Sequence, residues 1–563
     1  MMVKAAPKPA AAPPEHAAPE SNATLTNRAF SLNSPPHSGT GHRFSAQLPA
    51  TYIGILVVFL SILTVNQAGC GTIFRTNIID DLQTTDPLSF GGLTTVNVLS
   101  QIYEGFIAIA PDGRIVPALA TSWQAVDSGL TWRIALRSGV RFHSGREFTA
   151  DDVRWTFTQL LKPRAQPSLG VVGLRRVVGA RDVQEGRSVD LAGVTVVDRY
   201  TVEIRLTEPD ALFPLMPFFF VDSGIEAEYG ADWATRVSAG TGPFKLAGWR
   251  HGQEVTLTAH HGYWGGAPSM EAARFAVIPY GETLLALFGS GDLDFAVLPE
   301  STARTVLNDP AYADWRLTFS KTQLRYLGLN QALYPPFRDI RVREAVTSAL
   351  DRDAVVEGLY RGAAARGNGA IPPGLEGYRE GNVPVVGRDP ERARQLLTDA
   401  GYRDGHALPP LEITGTEAVR DELTVYAGQL SAVLGIPVGI RILERGAAIA
   451  AANEGKLPFF FSGWTADYPD PLSILLPVWH GASPFNRSRW QNPAFDRLVD
   501  QARATPDADS RHALSREAER VLMADRAMIP LPIPKVVALA RTGVTGVSIL
   551  PSGLIDFRGA VVP

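Results

Sequence analysis

Few residues in this chain have the types and spacing that metal or nucleophile chemistry requires. The adjacent pair His260-His261 could bind a metal ion, but neighbouring side chains on a strand point to opposite faces, so both rarely reach one ion. The single cysteine, Cys70, allows no intrachain disulfide and no cysteine-based zinc site. The motifs Gly-x-Ser-x-Gly, His-Glu-x-x-His and Gly-x-x-x-x-Gly-Lys-Ser/Thr do not occur. We therefore expect a protein that is not an enzyme and that holds no metal or cofactor.

Carboxylates and aromatic residues in the segment GWTADYPDP could instead bind a ligand. Asp467 can hold a cationic group, although Asp followed by Tyr-Pro-Asp-Pro also favours a turn or a helix start. Trp464 could pack against a ligand or belong to the core. Asp470 precedes Pro471, which favours a structural role. The residues alone leave the alternatives for Asp467 and Trp464 open.

Short strands and ordinary helices must position these groups. Apolar and polar residues alternate, as in half-buried strands, over residues 131–142, 195–206 and 254–261. Helical periodicity appears over residues 342–360, 389–401 and 508–525, and the second of these has Asp389-Pro390 as a start signal and Gly401 as a stop signal. This mixture predicts an α/β or α+β protein.

Composition and charge exclude several classes of protein. The chain has 563 residues, of which 45% are hydrophobic and 20% are charged, enough to bury several cores. Its 53 basic and 57 acidic residues are interspersed and leave a formal charge of -4. This balance indicates neither a nucleic-acid surface nor a polybasic membrane patch.

The N-terminal part is typical of an exported protein. Residues 1–49 are rich in Ala and Pro, which predicts a disordered leader. Residues 50–70 contain an apolar stretch of roughly 15 residues, shorter than the ~20 of a spanning helix, and end in Cys70. Ala68-Gly69-Cys70 resembles a bacterial lipobox, although Gln67 departs from that pattern, so Cys70 is either lipidated or inert beside an uncleaved anchor. Both alternatives place residues 71–563 outside the cytoplasm.

Four blocks carry a resemblance to a known family. They comprise residues 84–106 continuing through 111–157, then 240–266, 325–362 and 459–480. In this order they resemble the family 5 bacterial extracellular solute-binding proteins, whose members include dipeptide-, oligopeptide- and nickel-binding subunits. The resemblance covers nearly all of the exported part.

The resemblance implies an α/β fold of the type II periplasmic-binding-protein class, with two large lobes and a smaller inserted lobe. Two strands cross between the large lobes, and Leu327 to Asn330 lies near one crossing. Closure about that hinge would sequester a solute. The implied boundaries are 71–115, 240–322 and 531–563 for lobe I, 116–239 for the inserted lobe II, and 323–530 for lobe III.

The resemblance also implies which residues contact the solute. Asp467 matches the acidic residue that pairs with the α-ammonium of a peptide, and Trp464 matches an aromatic that packs against the ligand, with Thr465 and Tyr468 beside them. The backbone of the first lobe would approach the ligand at a glycine-containing loop, although a plain surface loop is the alternative there. The remaining implied contacts are Gly92, Leu93 and Thr94 in that loop, Tyr326 beside the hinge, Asn486, and Arg420 as a carboxylate-binding arginine.

The predicted function is that of the extracytoplasmic solute-binding subunit of an ABC importer, which captures short peptides in an interlobe cleft. Its partners would be the permease and ATPase subunits in the membrane, with no nucleic acid, and the protein would be monomeric. It would be periplasmic or anchored on the extracytoplasmic face of the membrane. The alternatives are a receptor for a nickel chelate, an opine or another small solute, with His480 near the cleft, and a secreted hydrolase or chaperone.

Overall fold

The computed structural model describes residues 72–164, 170–403 and 408–563. The leader (1–49), the apolar segment (50–70) and Cys70 lie outside the described residues, so the predictions made for them stay predictions. In the described part of the chain, no helix is both long enough and apolar enough to cross a bilayer.

Four larger sheets organise the described residues, and each draws its strands from a limited part of the chain. In spatial order, the N-terminal sheet contains Ile73–Ile78, Ala272–Val277, Glu254–Ala259 and Phe244–Arg250; the inserted sheet contains Ala120–Val126, Thr131–Leu136, Thr201–Arg205 and Val194–Asp198; the three-stranded sheet contains Phe295–Val297, Val536–Ala540 and Arg316–Phe319; and the five-stranded sheet contains Val438–Leu443, Leu411–Thr416, Phe459–Thr465, Gln323–Leu329 and Met528–Pro530. Small two-stranded ladders pair Ile107–Ile109 with Ile115–Pro117, Ala364–Ala365 with Ile533–Pro534, and Ser548–Ile549 with Ile555–Asp556.

Helices cover the sheets and connect their strands. The α-helices in the described ranges are Leu93–Leu99, Ala150–Leu161, Gly170–Leu174, Ala180–Gln184, Ile225–Tyr229, Gly281–Ser290, Glu300–Val306, Ile340–Ser348, Arg352–Ala354, Pro390–Asp399, Arg420–Leu434, Arg445–Asn453, Leu472–Trp479, Pro493–Arg503 and Ala508–Ala524. Together with the sheets they confirm the α/β fold class.

Local signals explain several element boundaries. The helix Pro390–Asp399 begins after Asp389, whose carboxylate accepts a hydrogen bond from the backbone N–H of Arg392 at 2.9 Å. Residues 195–206 form a hairpin rather than one strand, because Asp198 accepts from the N–H of Tyr200 at 2.8 Å and turns the chain. The predicted helix over 342–360 is interrupted after Ser348, and the Asp351 carboxylate caps a new short turn.

The chain crosses twice between the three-stranded and the five-stranded sheets. It passes from one to the other between Phe319 and Gln323, and it returns between Pro530 and Val536. The two crossings are tied together, since Arg325 donates to the carbonyl oxygen of Pro532 at 2.5 Å. The geometry is that of two connecting segments lying side by side, as in a hinge.

Separate hydrophobic cores lie behind the sheets. One core draws only on residues between Leu327 and Leu531, and a small core joins residues 278–306 to Val537 and Leu539. The largest core extends through the N-terminal and inserted sheets and reaches the helices near the C-terminus. The predicted lobe boundaries stay a prediction, but each larger sheet draws its strands from ranges assigned to one lobe.

Candidate functional site

A cavity of about 520 Å³ lies where three regions of the chain meet, and we call it the interlobe cavity. Its volume falls in the range of small-molecule sites. The lining combines residues 92–118, 215–219 and 243 with residues 445–467 and 550–558, and therefore draws on all three predicted lobes. Most of the lining side chains are apolar, among them Leu93, Val96, Leu215, Met216, Phe218, Phe219, Leu550 and Leu554.

The end of the strand Phe459–Thr465 delivers the GWTAD segment to this cavity. That strand runs antiparallel to Gln323–Leu329 in the middle of the five-stranded sheet, and its last residue, Thr465, pairs with Gln323. One residue further on, the N–H of Ala466 donates to the carbonyl oxygen of Thr322 at 2.9 Å. Asp467 therefore leaves the sheet beside a crossing, and it lines the cavity together with Trp464 and Thr465.

Asp467 is a carboxylate without a counter-charge in the described residues. Its side chain is partly buried, and burial raises the pKa of the Asp467 carboxyl from 3.8 to about 7, with no charged side chain contributing. The indole N–H of Trp464 lies close enough to lower the pKa somewhat, but it makes no full hydrogen bond to any acceptor in the described residues. An incoming cation would compensate the desolvated carboxylate.

Asp470, three residues later, has the opposite environment. It is buried, it accepts from Arg511 at 2.8 Å, and it lies 3.2 Å from a ring nitrogen of His512. It also accepts from the N–H of Leu472 at 2.9 Å, at the start of the helix Leu472–Trp479. These contacts lower the pKa of Asp470 despite its burial. Its role is structural, as the position before Pro471 predicts.

The loop before the helix Leu93–Leu99 brings backbone to the cavity. Gly92 has φ +80°, a conformation that favours glycine, and it stands at the helix N-cap. Gly92 and Leu93 line the cavity, and the side chain of Leu93 is 51% exposed. Thr94 is half-buried on the same helix and is not part of the lining.

Four further predicted contacts also lie outside the lining. Tyr326 is buried in the five-stranded sheet, with its ring 5.0 Å from that of Trp479. Asn486 is buried, and its amide donates to the carbonyl oxygen of Trp490 at 2.6 Å, which makes it part of a turn. Tyr468 is buried beside Asp470. These packing roles explain why the three side chains do not face the cavity.

Arg420 is the fourth of these residues. It begins the helix Arg420–Leu434, is exposed, and donates to both carboxylate oxygens of Glu417 at 2.8 and 3.0 Å. The structure therefore separates Arg420 from the cavity, and the arginines that do line it are Arg445 and Arg558.

Several lining residues had no signal in the sequence. Glu104 accepts hydrogen bonds from Tyr263, Trp264 and Thr241 at 2.7 to 2.8 Å, and burial nevertheless raises the pKa of its carboxyl. The cavity wall of Met216, Phe218 and Phe219 belongs to a generally apolar segment whose buried members look the same in the sequence. The proximity of Glu104 to the matching segment YEGF is the only sequence feature that could have drawn attention to it.

The histidines considered for metal binding are occupied singly. His260 lies 3.2 Å from the carbonyl oxygen of Gly242, whereas His261 lies 3.0 Å from a carboxylate oxygen of Glu271. His480 approaches Asp500 at 3.5 Å and is not part of the cavity lining. Over residues 72–164, 170–403 and 408–563, no group of three or more potential metal ligands comes together.

Comparison with known proteins places this architecture. The chain is similar to a probable di/tripeptide-binding protein 5 of Pseudomonas aeruginosa, with 28% identity over 511 residues, 85% of this chain and 93% of that protein. It is also similar to heme-binding protein A of Haemophilus influenzae, with 28% identity over 78% of this chain and 83% of that protein. The solved murein tripeptide binding protein MppA of Escherichia coli shares the fold, with a TM-score of 0.72, 24% identity and coverage of 88% of this chain and 99% of that one.

A family model supplies the assignment. The model described as bacterial extracellular solute-binding proteins, family 5 Middle, matches residues 114–486, which is more than half of the 563 residues. The matched range includes the inserted sheet, the five-stranded sheet and the GWTAD segment. With the same lobed arrangement of sheets around a cavity, this protein belongs to the family 5 bacterial extracellular solute-binding proteins.

Proposed function

We propose that this protein captures short peptides in the interlobe cavity and delivers them to the permease of an ABC importer. The ligand's α-ammonium binds the Asp467 carboxylate, Trp464 packs against the ligand, and the backbone at Gly92 and Leu93 approaches its main chain. Binding involves no chemical change, so the protein is a receptor and not an enzyme. It acts as a monomer on the extracytoplasmic side of the membrane, either free in the periplasm or anchored through Cys70.

The observation that carries this proposal is the isolated carboxylate in a mostly apolar cavity. A desolvated carboxylate gains from a bound ammonium, because the charge-assisted hydrogen bond replaces water that the site has already lost. The apolar wall can accommodate side chains without forming specific hydrogen bonds to them. Both features suit a ligand with a fixed charged terminus and variable side chains.

The relatives support peptides but do not settle the ligand. One is called a probable di/tripeptide-binding protein and another a heme-binding protein, at the same 28% identity. The ammonium-binding role of Asp467 is therefore the part that separates a peptide from a chelate, an opine or another small solute. A ligand without a free amino group would not need this carboxylate.

Calorimetric titration of the purified protein tests the proposal. Trileucine should bind saturably, and both N-acetylation of the peptide and the substitution Asp467→Asn should weaken binding at least tenfold, since each removes one partner of the charged pair. The control is Asp190→Asn, which removes an exposed aspartate far along the chain from the lining residues and should leave the affinity unchanged.

Equal affinity for the free and the N-acetylated peptide would remove the ammonium-binding role of Asp467. Binding of a nickel chelate or an opine, without binding of any peptide, would replace peptides as the ligand class. Turnover of a peptide library by the purified protein would overturn the assignment as a receptor.

A further inference from the structure

The charged groups that line the interlobe cavity can be accounted for one by one. Within the described lining they are Glu104, Arg445, Asp467, Asp556 and Arg558. Glu104 is held by its three hydrogen-bond donors, and Arg558 donates to both oxygens of Asp556 at 2.9 and 2.8 Å. Two opposite charges, Asp467 and Arg445, remain without a partner of their own.

Arg445 begins the helix Arg445–Asn453 and is exposed. In the described part of the chain, its guanidinium makes no ion pair and no hydrogen bond to a side chain or carbonyl group. The adjacent Glu444 is engaged otherwise, because its carboxylate accepts the N–H of Ala447 at 3.0 Å as the N-cap of the same helix. Arg445 is therefore free to bind a group that enters the cavity.

We infer that Arg445 binds the C-terminal carboxylate of the ligand, so that the interlobe cavity selects short peptides with both termini free. This inference rests on the proposed function, in which Asp467 binds the ammonium. A guanidinium matches a carboxylate with two parallel hydrogen bonds, which gives the contact direction as well as strength. One unpaired anion and one unpaired cation on an otherwise apolar lining are complementary to a zwitterion with apolar side chains.

This assignment replaces Arg420 as the carboxylate-binding residue. Arg420 already donates to both oxygens of Glu417 and lies outside the lining, so a ligand would have to displace a bound carboxylate to reach it. Arg445 requires no such displacement. The two arginines differ in this one respect while both are exposed, which makes Arg420 a matched control.

The experiment compares trileucine with its C-terminal amide by calorimetric titration. The wild-type protein should prefer the free acid by about tenfold, the effect of losing a hydrogen bond to a charged group. Arg445→Gln should abolish that preference, Arg445→Lys should keep part of it, and Arg420→Gln should keep all of it. Because Arg445 is exposed, the wild-type preference should fall as the salt concentration rises.

The outcomes separate this inference from the proposed function. Equal binding of the acid and the amide by the wild-type protein would overturn the role of Arg445, as would an undiminished preference in a folded Arg445→Gln variant. In both cases a surviving preference for the free N-terminus over the N-acetylated one would leave the role of Asp467 standing. Failure of every peptide to bind would overturn both.

Discussion

Asp467→Asn should stabilise the ligand-free protein at neutral pH while it weakens peptide binding. Burial raises the pKa of the Asp467 carboxyl from 3.8 to about 7, so the folded protein holds the proton where the unfolded chain has lost it. Below the unfolded value both states are protonated and the carboxyl costs no stability. Stability is lost as the pH rises from about 4 through about 7, and the loss is complete above the folded pKa.

The size of this effect follows from the same values. A rise from 3.8 to about 7 corresponds to at most about 4 kcal/mol at pH 8. Water in the cavity still reaches part of the side chain, so we expect about 1 to 2 kcal/mol for the gain in the free energy of unfolding of Asp467→Asn. At pH 4 the variant and the wild type should be equal, because an amide and a protonated carboxyl have nearly the same shape.

Urea unfolding at pH 4 and at pH 8 measures this difference. The matched control is Asp470→Asn, whose carboxylate is paired with Arg511 and His512 and should therefore lose about 3 kcal/mol at pH 8. A variant Asp467→Asn that is less stable than the wild type at pH 8 would refute the reasoning. It would show instead that the Asp467 carboxylate supports the turn in which it lies.

Two further predictions concern pH and the hinge. Affinity for trileucine should rise between pH 5.5 and about 7.5 as Asp467 ionises, and should fall again above about 8 as the peptide's amino group loses its proton; calorimetry across this range would contradict the assignment if the affinity were constant. Glu422→Gln should lower the free energy of unfolding in urea by about 3 kcal/mol, because the buried Arg325 at the crossing keeps its charge but loses its 2.7 Å partner, whereas Glu417→Gln at an exposed pair should change it by less than about 0.5 kcal/mol; equal effects would show that burial of the pair is unimportant.

The family and much of the local structure followed from the sequence, because they depend on neighbours along the chain. Asp389 and Gly401 bracket a helix in the sequence and in the structure, since an N-cap carboxylate and a glycine beyond the C-terminus act within one turn. The GWTAD segment was identified from its residue types and lies at the cavity. Its ligand contacts stay a proposal.

Side-chain direction could not be obtained in the same way. Tyr326 belongs to a strand whose residues are nearly all buried, so the alternation of a strand does not tell which face meets a ligand. Asn486 has the amide of a typical binding residue, but local backbone carbonyls use it first. In both cases the competing contact comes from a residue type that has no special pattern.

The sequence by itself determined the α/β class, the order of the matching blocks and the segment that carries Asp467, since these depend on composition, periodicity and short motifs. Only the tertiary structure decided that Asp467 lacks a counter-charge and that Arg445, rather than Arg420, lines the same cavity. The physical reason is that a cavity is made by residues far apart in the chain, and whether a charge is paired depends on where those residues meet.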